Sequence, residues 1–273
     1  MKFLKLIFVY LFMTSYVFAD VSPKEKSALE ALYIATKGDQ WNVSWDMKDP
    51  ITKWHGVKLE NNKVVEINLE FNNLQGHLPN EIGDLVYLKK INLGFNKIGG
   101  ELPKSISKLS ELRTLELFMN GFEGHIPSEF GALKKLESLK LYSNKLTGEI
   151  PESIMDLTEL KELLLGSNYL SGTISNKIGA LTKLEKLSLM DNKLQGEIPA
   201  EIAFCSNLEE LLLSTNQLTG VLPLEFSRLT KLNTIMVSDN NLSTDYTTIS
   251  GQEPLNGSLN IESAAATVDI EEE

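Results

Sequence analysis

Leucines and isoleucines recur along most of the chain in an order that repeats every 24 residues. The alternation Leu139-Lys140-Leu141 predicts a short strand with one face inward, because successive side chains of a strand point to opposite faces. No single repeat can bury all its apolar residues, so the repeats are expected to stack as coils around one continuous core. The apolar positions of one repeat are Leu136, Leu139, Leu141, Leu146, Ile150, Ile154 and Leu157.

An asparagine marks every repeat, three residues after the second leucine of the predicted strand. A carboxamide offers donors and an acceptor, so this column is predicted to be a buried structural ladder rather than a ligand site. Glycine follows four residues after the first seven asparagines, where it allows a backbone shape that a Cβ would resist. The asparagines are Asn72, Asn96, Asn120, Asn144, Asn168, Asn192, Asn216 and Asn240.

The repeat follows the leucine-rich repeat pattern L-x-x-L-x-L-x-x-N-x-L, continued from Asn144 to Leu157 as N-x-L-x-G-x-I-P-x-x-I-x-x-L. The chain thus resembles the plant-type family of leucine-rich-repeat proteins over residues 64–243, which includes receptor ectodomains and polygalacturonase-inhibiting proteins. This resemblance implies a right-handed α/β solenoid of eight 24-residue coils, with a parallel concave β-sheet and a helical N-terminal cap.

The first 19 residues are typical of a cleaved secretory signal peptide. Lys2 and Lys5 are followed by an apolar run from Leu6 to Met13, and Val17-Phe18-Ala19 precedes the expected cleavage site. A membrane anchor is the alternative, but a span needs about 20 apolar residues. We therefore expect a protein that is secreted or exposed at the cell surface, without a membrane span.

Residues 20–63 are predicted to cap the open N-terminal end of the solenoid. Ser22 followed by Pro23 favours a helix start, and Gly38 favours its end. The packing of this cap is expected to come from Trp41, Trp45 and Trp54.

The cysteine content separates this chain from the family's usual cap. The stretch from Trp54 to Val57 resembles the family's W-x-G-V cap motif, but Thr52 and Leu59 occupy the positions of its two flanking cysteines. The resemblance therefore implies a cap without its disulfide, which favours a bacterial secreted member over a plant cell-wall protein. The lone cysteine, Cys205, occupies a leucine column and is predicted to be a small buried hydrophobic residue.

The repeat pattern fades after the last asparagine. Residues 244–273 are expected to form the remnant of a C-terminal cap and a flexible acidic tail. A calcium loop is a weaker alternative, since Thr244 and Ser250 stand where its glycine and glutamate belong. Its alternating polar residues would be Asp239, Asn241, Ser243 and Asp245.

Charge and motifs exclude several function classes. The net charge of −11 argues against nucleic acids and anionic membranes as partners. The sequence has no motif of a hydrolase, metalloprotease or nucleotide-binding loop. His77 and His125 share a column but stand two repeats apart, roughly 10 Å, which is too far to hold one metal ion. We expect no catalysis, no metal and no cofactor.

Residues two, four and six positions before each asparagine are predicted to point outward from the concave sheet, with the residue just before the asparagine near its edge. Several are apolar, although an outward position gives no packing reason for it, and contiguous apolar rows often mark interfaces. The predicted partner-binding residues are Phe71, Phe95, Phe118, Tyr142, Leu164, Met190, Leu212 and Met236.

The resulting hypothesis is non-catalytic extracellular recognition of a protein or peptide partner through the concave face. A glycan-binding adhesin, which would use Phe71, Phe95, Asn68 and Glu70, and a structural surface component are the alternatives. An unselected surface, or one covered by the tail, would also account for the apolar row.

Overall fold

Each of the first seven 24-residue repeats contributes one short strand before its asparagine, a second strand after it, and a 3-10 helix, and the described part of the eighth repeat contributes two strands. The computed structural model describes residues 21–243 and 260–262. Its α-helix, α1, spans Pro23–Ala35. The strands are β1 Val57–Glu60, β2 Lys63–Asn68, β3 Gln75–His77, β4 Lys90–Asn92, β5 Lys97–Glu101, β6 Thr114–Glu116, β7 Gly121–His125, β8 Ser138–Lys140, β9 Lys145–Glu149, β10 Glu162–Leu164, β11 Tyr169–Ser171, β12 Lys186–Ser188, β13 Gln195–Glu197, β14 Glu210–Leu212, β15 Gln217–Gly220, β16 Thr234–Met236, β17 Asn241–Leu242 and β18 Asn260–Glu262.

The concave sheet contains the strands that precede the asparagines. Its order is β1-β2-β4-β6-β8-β10-β12-β14-β16-β18, and all pairs are parallel except β1 with β2. Strands from neighbouring repeats pair with a shift of 24 residues, so Leu163 lies beside Leu139 and Leu187. Each column of the sequence therefore becomes a row across the sheet, and we number the coils 1 to 8 from Asn72 to Asn240.

A second set of strands follows the asparagines. It forms one sheet of β3, β5, β7, β9 and β11 and another of β13, β15 and β17, joined by a single bridge from Thr173 to Gln195. The 3-10 helices of successive coils pack against one another and form the convex side. They span Asn80–Asp84, Lys104–Lys108, Ser128–Ala132, Glu152–Asp156, Asn176–Ala180, Ala200–Phe204 and Leu224–Arg228, and two more lie in the cap at Gly38–Gln40 and Ile51–Lys53.

One hydrophobic core runs from the cap to the last coil. The leucine columns are fully buried, and Cys205 takes the place of a leucine with no exposed surface. Its thiol donates to the carbonyl oxygen of Ile178 at 3.4 Å. The structure thus confirms the fold class that the repeat predicts.

The N-terminal cap is fastened to the first coil through Glu25. Ser22 Oγ accepts from the Glu25 N–H at 3.3 Å and donates to Glu25 Oε2 at 2.7 Å, as a helix cap does. Glu25 Oε1 accepts from the Val64 N–H at 3.0 Å, which ties helix and sheet together. Behind this contact, the rings of Trp45 and Trp54 stack with centroids 4.7 Å apart.

The end of α1 differs from the prediction. The helix stops at Ala35, and Lys37, not Gly38, adopts the left-handed conformation, with φ of 56°. Gly38 is required for a different reason, because a Cβ there would lie 2.1 Å from the ring of Tyr33. Packing, rather than backbone freedom, explains this glycine.

Both ends of the chain lie mostly outside the described residues. The predicted signal peptide at residues 1–19 and Asp245, the last residue of the alternative calcium loop, lie outside the described residues. Residues 260–262, expected to belong to a cap remnant or tail, form β18 and extend the concave sheet beyond coil 8. Among the helices of the described segments, none combines the length and apolar character needed to cross a bilayer.

Candidate functional site

The asparagine ladder holds the backbone where each coil leaves the concave sheet. Asn144 Nδ2 donates to the carbonyl oxygens of Leu117 at 3.1 Å, Leu141 at 3.0 Å and Tyr142 at 3.4 Å. Its Oδ1 accepts from the Phe122 N–H of the preceding coil at 3.0 Å. All of these hydrogen bonds are made to backbone groups, so the Asn144 side chain serves the fold.

The ladder begins in the cap. The Val43 N–H donates to Asn72 Oδ1 at 2.7 Å, and Asn72 Nδ2 donates to the Val43 carbonyl at 3.2 Å. The cap backbone thus stands in for a coil that would precede coil 1. The concave face therefore has a fixed N-terminal border next to Phe71.

The residue before each asparagine has a left-handed backbone. Its φ lies between 50° and 58° in all eight coils. Coils 4 to 8 place Ser, Asp or Thr there, whereas coils 1 to 3 place Phe71, Phe95 and Met119. A bulky side chain at positive φ is uncommon and costs of order 1 kcal/mol. The strain at these residues suggests that their side chains serve a purpose other than folding.

Four aromatic rings from four successive coils form a continuous contact chain along the concave edge. Phe71 and Phe95 stack with centroids 4.0 Å apart and planes at 14°. Phe95 meets Phe118 edge to face, at 5.3 Å and 85°, and Phe118 stacks on Tyr142 at 4.7 Å and 12°. We call Phe71, Phe95, Phe118 and Tyr142 the aromatic strip.

Phe118 has a packing role that the sequence did not predict. Outward positions were expected to have no packing role, yet Phe118 is only 6% exposed. Its ring lies over Gly94 of the preceding coil, where a Cβ would stand 2.5 Å from the ring. With Phe95 and Tyr142 on either side, Phe118 is packed on the concave face, apart from the main core. Phe71, at the N-terminal end of the strip, is 60% exposed.

The remaining predicted residues lie outside the aromatic strip. Gly166 holds the position of Tyr142 in coil 5, so the strip stops there, and the side chain of Met190 covers this glycine. Leu212 and Met236 are neighbours in the register of β14 and β16. All four of these residues are partly buried: Leu164, Met190, Leu212 and Met236.

Met119 was missed by the sequence analysis. It stands in the same column as Phe71 and Phe95 and is 40% exposed, so it adds to the apolar edge beside the strip. Reading that column across the coils would have identified it.

Lys140 lies at the centre of the concave sheet between two carboxylates. Its Nζ is 3.1 Å from Glu116 and 3.0 Å from Glu162, which also accepts from Ser138 Oγ at 2.7 Å. Burial lowers the pKa of Lys140, but its hydrogen bonds to the two glutamates outweigh this and raise the pKa above its ordinary value. Lys90 and Lys186 also face glutamates on a neighbouring strand, at 3.9 Å from Glu66 and 3.5 Å from Glu210, respectively.

Histidines and acidic residues lie on a different surface. His77 and His125 end β3 and β7 in the second sheet, and both are exposed. His125 lines an open groove of about 450 Å³ together with Glu101 and Glu149. Within residues 21–243 and 260–262, no group of three or more His, Cys, Asp or Glu side chains could hold a metal ion.

Similarity to known proteins agrees with the fold. A curated relative, a probable leucine-rich repeat receptor-like protein kinase of Arabidopsis thaliana, is 37% identical over 87 residues, which are 31% of this chain and 9% of that protein. The ectodomain of the plant membrane receptor kinase GASSHO1/SCHENGEN3 from Arabidopsis thaliana, solved with CASPARIAN STRIP INTEGRITY FACTOR 2, is 31% identical with a TM-score of 0.71. The match covers 80% of this chain and 27% of that one.

A second solved structure is the plant peptide hormone receptor RGFR1 in complex with RGF2. It is 36% identical with a TM-score of 0.63, over 64% of this chain and 28% of that one. This chain therefore spans less than a third of the length of each of these relatives.

The family itself is identified by the repeats. A family model described as Leucine Rich Repeat matches residues 63–85, 87–109, 111–133, 135–157, 183–205 and 207–229. These segments make up half of the chain, and they follow the stacked coils of the structure. The protein belongs to the leucine-rich repeat family.

Proposed function

We propose that this protein is a non-catalytic recognition module that acts outside the cytoplasm and binds a protein or peptide on the concave face of its solenoid. The aromatic strip is the observation that carries the proposal. Phe71 and Phe95 are large apolar residues held at a strained backbone position where coils 4 to 8 carry polar residues. Aromatic residues of this kind are enriched at protein interfaces, where a few of them supply most of the binding energy.

The ring geometry favours a protein partner over a glycan. A sugar ring stacks on an open aromatic face, but Phe71 covers Phe95 at 4.0 Å and Phe118 covers Tyr142 at 4.7 Å. The strip thus turns mainly ring edges toward the concave space, with the outer face of Phe71 at its end. Ring edges pack well against aliphatic and aromatic side chains in edge-to-face contacts.

Relatives and the N-terminal sequence support the proposed location and partner class. The two solved structures named above are a receptor ectodomain and a peptide hormone receptor, each in a complex. The signal-peptide pattern at residues 1–19 supports export of this chain. The absence of the cap cysteines, with Thr52 and Leu59 in their places, supports a bacterial secreted member.

Selection from a phage-displayed random dodecapeptide library on the purified protein tests the proposal. Changing Phe71 and Phe95 together to serine should lower the affinity for the selected peptides by roughly thirtyfold or more, the equivalent of about 2 kcal/mol. Folding should be preserved, because coils 4 and 5 carry serine at the same column, as Ser143 and Ser167.

The matched control removes two exposed apolar residues from the convex side. Phe204 and Leu224 are 58% and 62% exposed on the 3-10 helices, so their joint change to serine should leave peptide binding unchanged. Selected peptides that ignore the Phe71/Phe95 change, or that depend on Phe204 and Leu224, would place the binding surface elsewhere. Enrichment of glycans instead of peptides in a parallel array would also overturn the proposal.

A further inference from the structure

Acidic side chains outnumber lysines on the concave face. Each lysine there already lies near a glutamate of a neighbouring strand, so none is free to bind a carboxylate of a partner. The charge that a partner meets is therefore negative. The outward columns and the rim contain Glu66, Glu70, Glu116, Glu162, Asp191, Glu210 and Asp239 against Lys90, Lys140 and Lys186.

Glu70 is the acidic residue closest in sequence to the exposed end of the strip, directly before Phe71. Its Oε2 accepts from Asn92 Nδ2 at 2.9 Å, and Asn92 Oδ1 accepts from the Gly94 N–H at 3.0 Å. The buried Asn92 thus orients the Glu70 carboxylate with a neutral group and leaves its charge in place. Among residues 21–243 and 260–262, Glu70 has no ion pair.

The inner end of the strip is also short of positive charge. Lys140 is shared between Glu116 and Glu162, so one cation serves two carboxylates. The Tyr142 hydroxyl makes no hydrogen bond to the described part of the chain, and it is free to accept one. Burial is the main reason that the pKa of Tyr142 is raised, and the charges of Lys140 on one side and of Glu116 and Glu70 on the other act on it in opposite directions.

We infer that the segment recognised on this face is a cationic peptide, with an apolar side chain against Phe71 and Phe95 and a lysine or arginine beside the Glu70 carboxylate. This inference rests on the proposed function and names the chemistry of its partner. Electrostatic complementarity of this kind selects partners and speeds their association. An acidic segment would meet like charge on this face and no unpaired lysine.

The spacing of the coils sets the size of the recognised segment. Four adjacent strands span ~14 Å at ~4.8 Å per step, and an extended peptide rises ~3.3 Å per residue. The aromatic strip therefore accommodates about four to five residues laid across the coils. Within that length the apolar anchor and the basic residue must be near neighbours.

The test uses dodecapeptides selected on the protein and confirmed to depend on Phe71 and Phe95. Their sequences should carry net positive charge with a basic residue within a few positions of an aromatic or aliphatic one. Glu70→Gln should lower the affinity for these peptides about three- to tenfold at low salt, because glutamine keeps an acceptor for Asn92 and removes only the charge. Glu123→Gln, at an exposed position of the second sheet, is the matched control and should have no effect.

Raising the salt concentration from about 50 to 500 mM should reduce binding to the unaltered protein more than binding to the Glu70→Gln variant. Added salt screens the charge of the Glu70 carboxylate, which the variant no longer has. Strip-dependent peptides that are neutral or acidic, or whose affinity ignores both Glu70→Gln and salt, would overturn the cationic assignment and leave the docking surface intact. Peptides that do not depend on the strip would overturn the proposed function itself.

Discussion

Replacement of Asn144 by alanine measures how much one asparagine of the ladder contributes to the free energy of unfolding. The side chain is 8% exposed and bonds only backbone groups. The carbonyl oxygens that it reaches keep other donors, namely the side chains of Asn120 and Asn168 and the N–H of Met119. The Phe122 N–H, in contrast, loses its acceptor inside the core.

The expected loss of stability follows from that single unpaired donor, the Phe122 N–H. An unsatisfied buried N–H costs about 1–3 kcal/mol. For a chain of this length, the same loss lowers the melting temperature by about 2–12 °C. Removal of an oxygen acceptor, rather than of side-chain volume, dominates the effect.

Urea unfolding followed by circular dichroism measures this loss, with Asn80→Ala as the matched control. Asn80 is exposed at the start of a 3-10 helix, so the same substitution should be nearly neutral there. The midpoint of Asn144→Ala should fall while the slope of the transition stays unchanged, since the folded surface is retained. Equal midpoints for the two variants would refute the view that the ladder satisfies backbone groups.

Three further measurements probe other parts of the structure. Phe118→Ala should lower the free energy of unfolding by about 3 kcal/mol, because it empties the packed space over Gly94, and a neutral result by urea unfolding would contradict that packing. Burial raises the pKa of the Cys205 thiol to about 12, so a thiol reagent at pH 8 should label it only in denaturant, and prompt labelling of the folded protein would show it is accessible. Burial raises the pKa of Glu162, but hydrogen bonds from Ser138 and Lys140 hold it below its ordinary value. The stability that Glu162 contributes is therefore present above about pH 4.3 and lost below it, and Glu162→Gln should flatten this acid limb of a stability–pH profile.

The scaffold was predictable because its columns are strict. A leucine or an asparagine that recurs every 24 residues occupies the same environment in every coil. Its packing or hydrogen bonding in one coil is therefore repeated in the next. The same reasoning placed Cys205 in the core, since it stands where other coils have leucine. In each case the residue depends on its own column, which the sequence displays directly.

Contacts between different columns were not predictable in the same way. Phe118 is buried because coil 2 has Gly94 beneath its ring, and Gly38 is needed because Tyr33 lies on it. Both follow from the direction in which a side chain leans, which periodicity does not specify. Strand β18 carried no signal either, because Ala264 and Val268 stand where the next asparagine and glycine of the 24-residue repeat would fall.

The burial of Phe118 decides how the concave face should be probed. A change at this residue alters packing over Gly94 as well as any contact with a partner, so lost binding would not distinguish the two effects. Phe71 avoids this ambiguity, because it is 60% exposed and occupies a backbone position where other coils place serine. Serine there should keep the fold, because Ser143 and Ser167 adopt the same left-handed backbone, so a loss of affinity would be attributable to the surface alone. A change at Phe118 therefore tests packing and the proposed recognition together, whereas a change at Phe71 tests the proposed recognition alone.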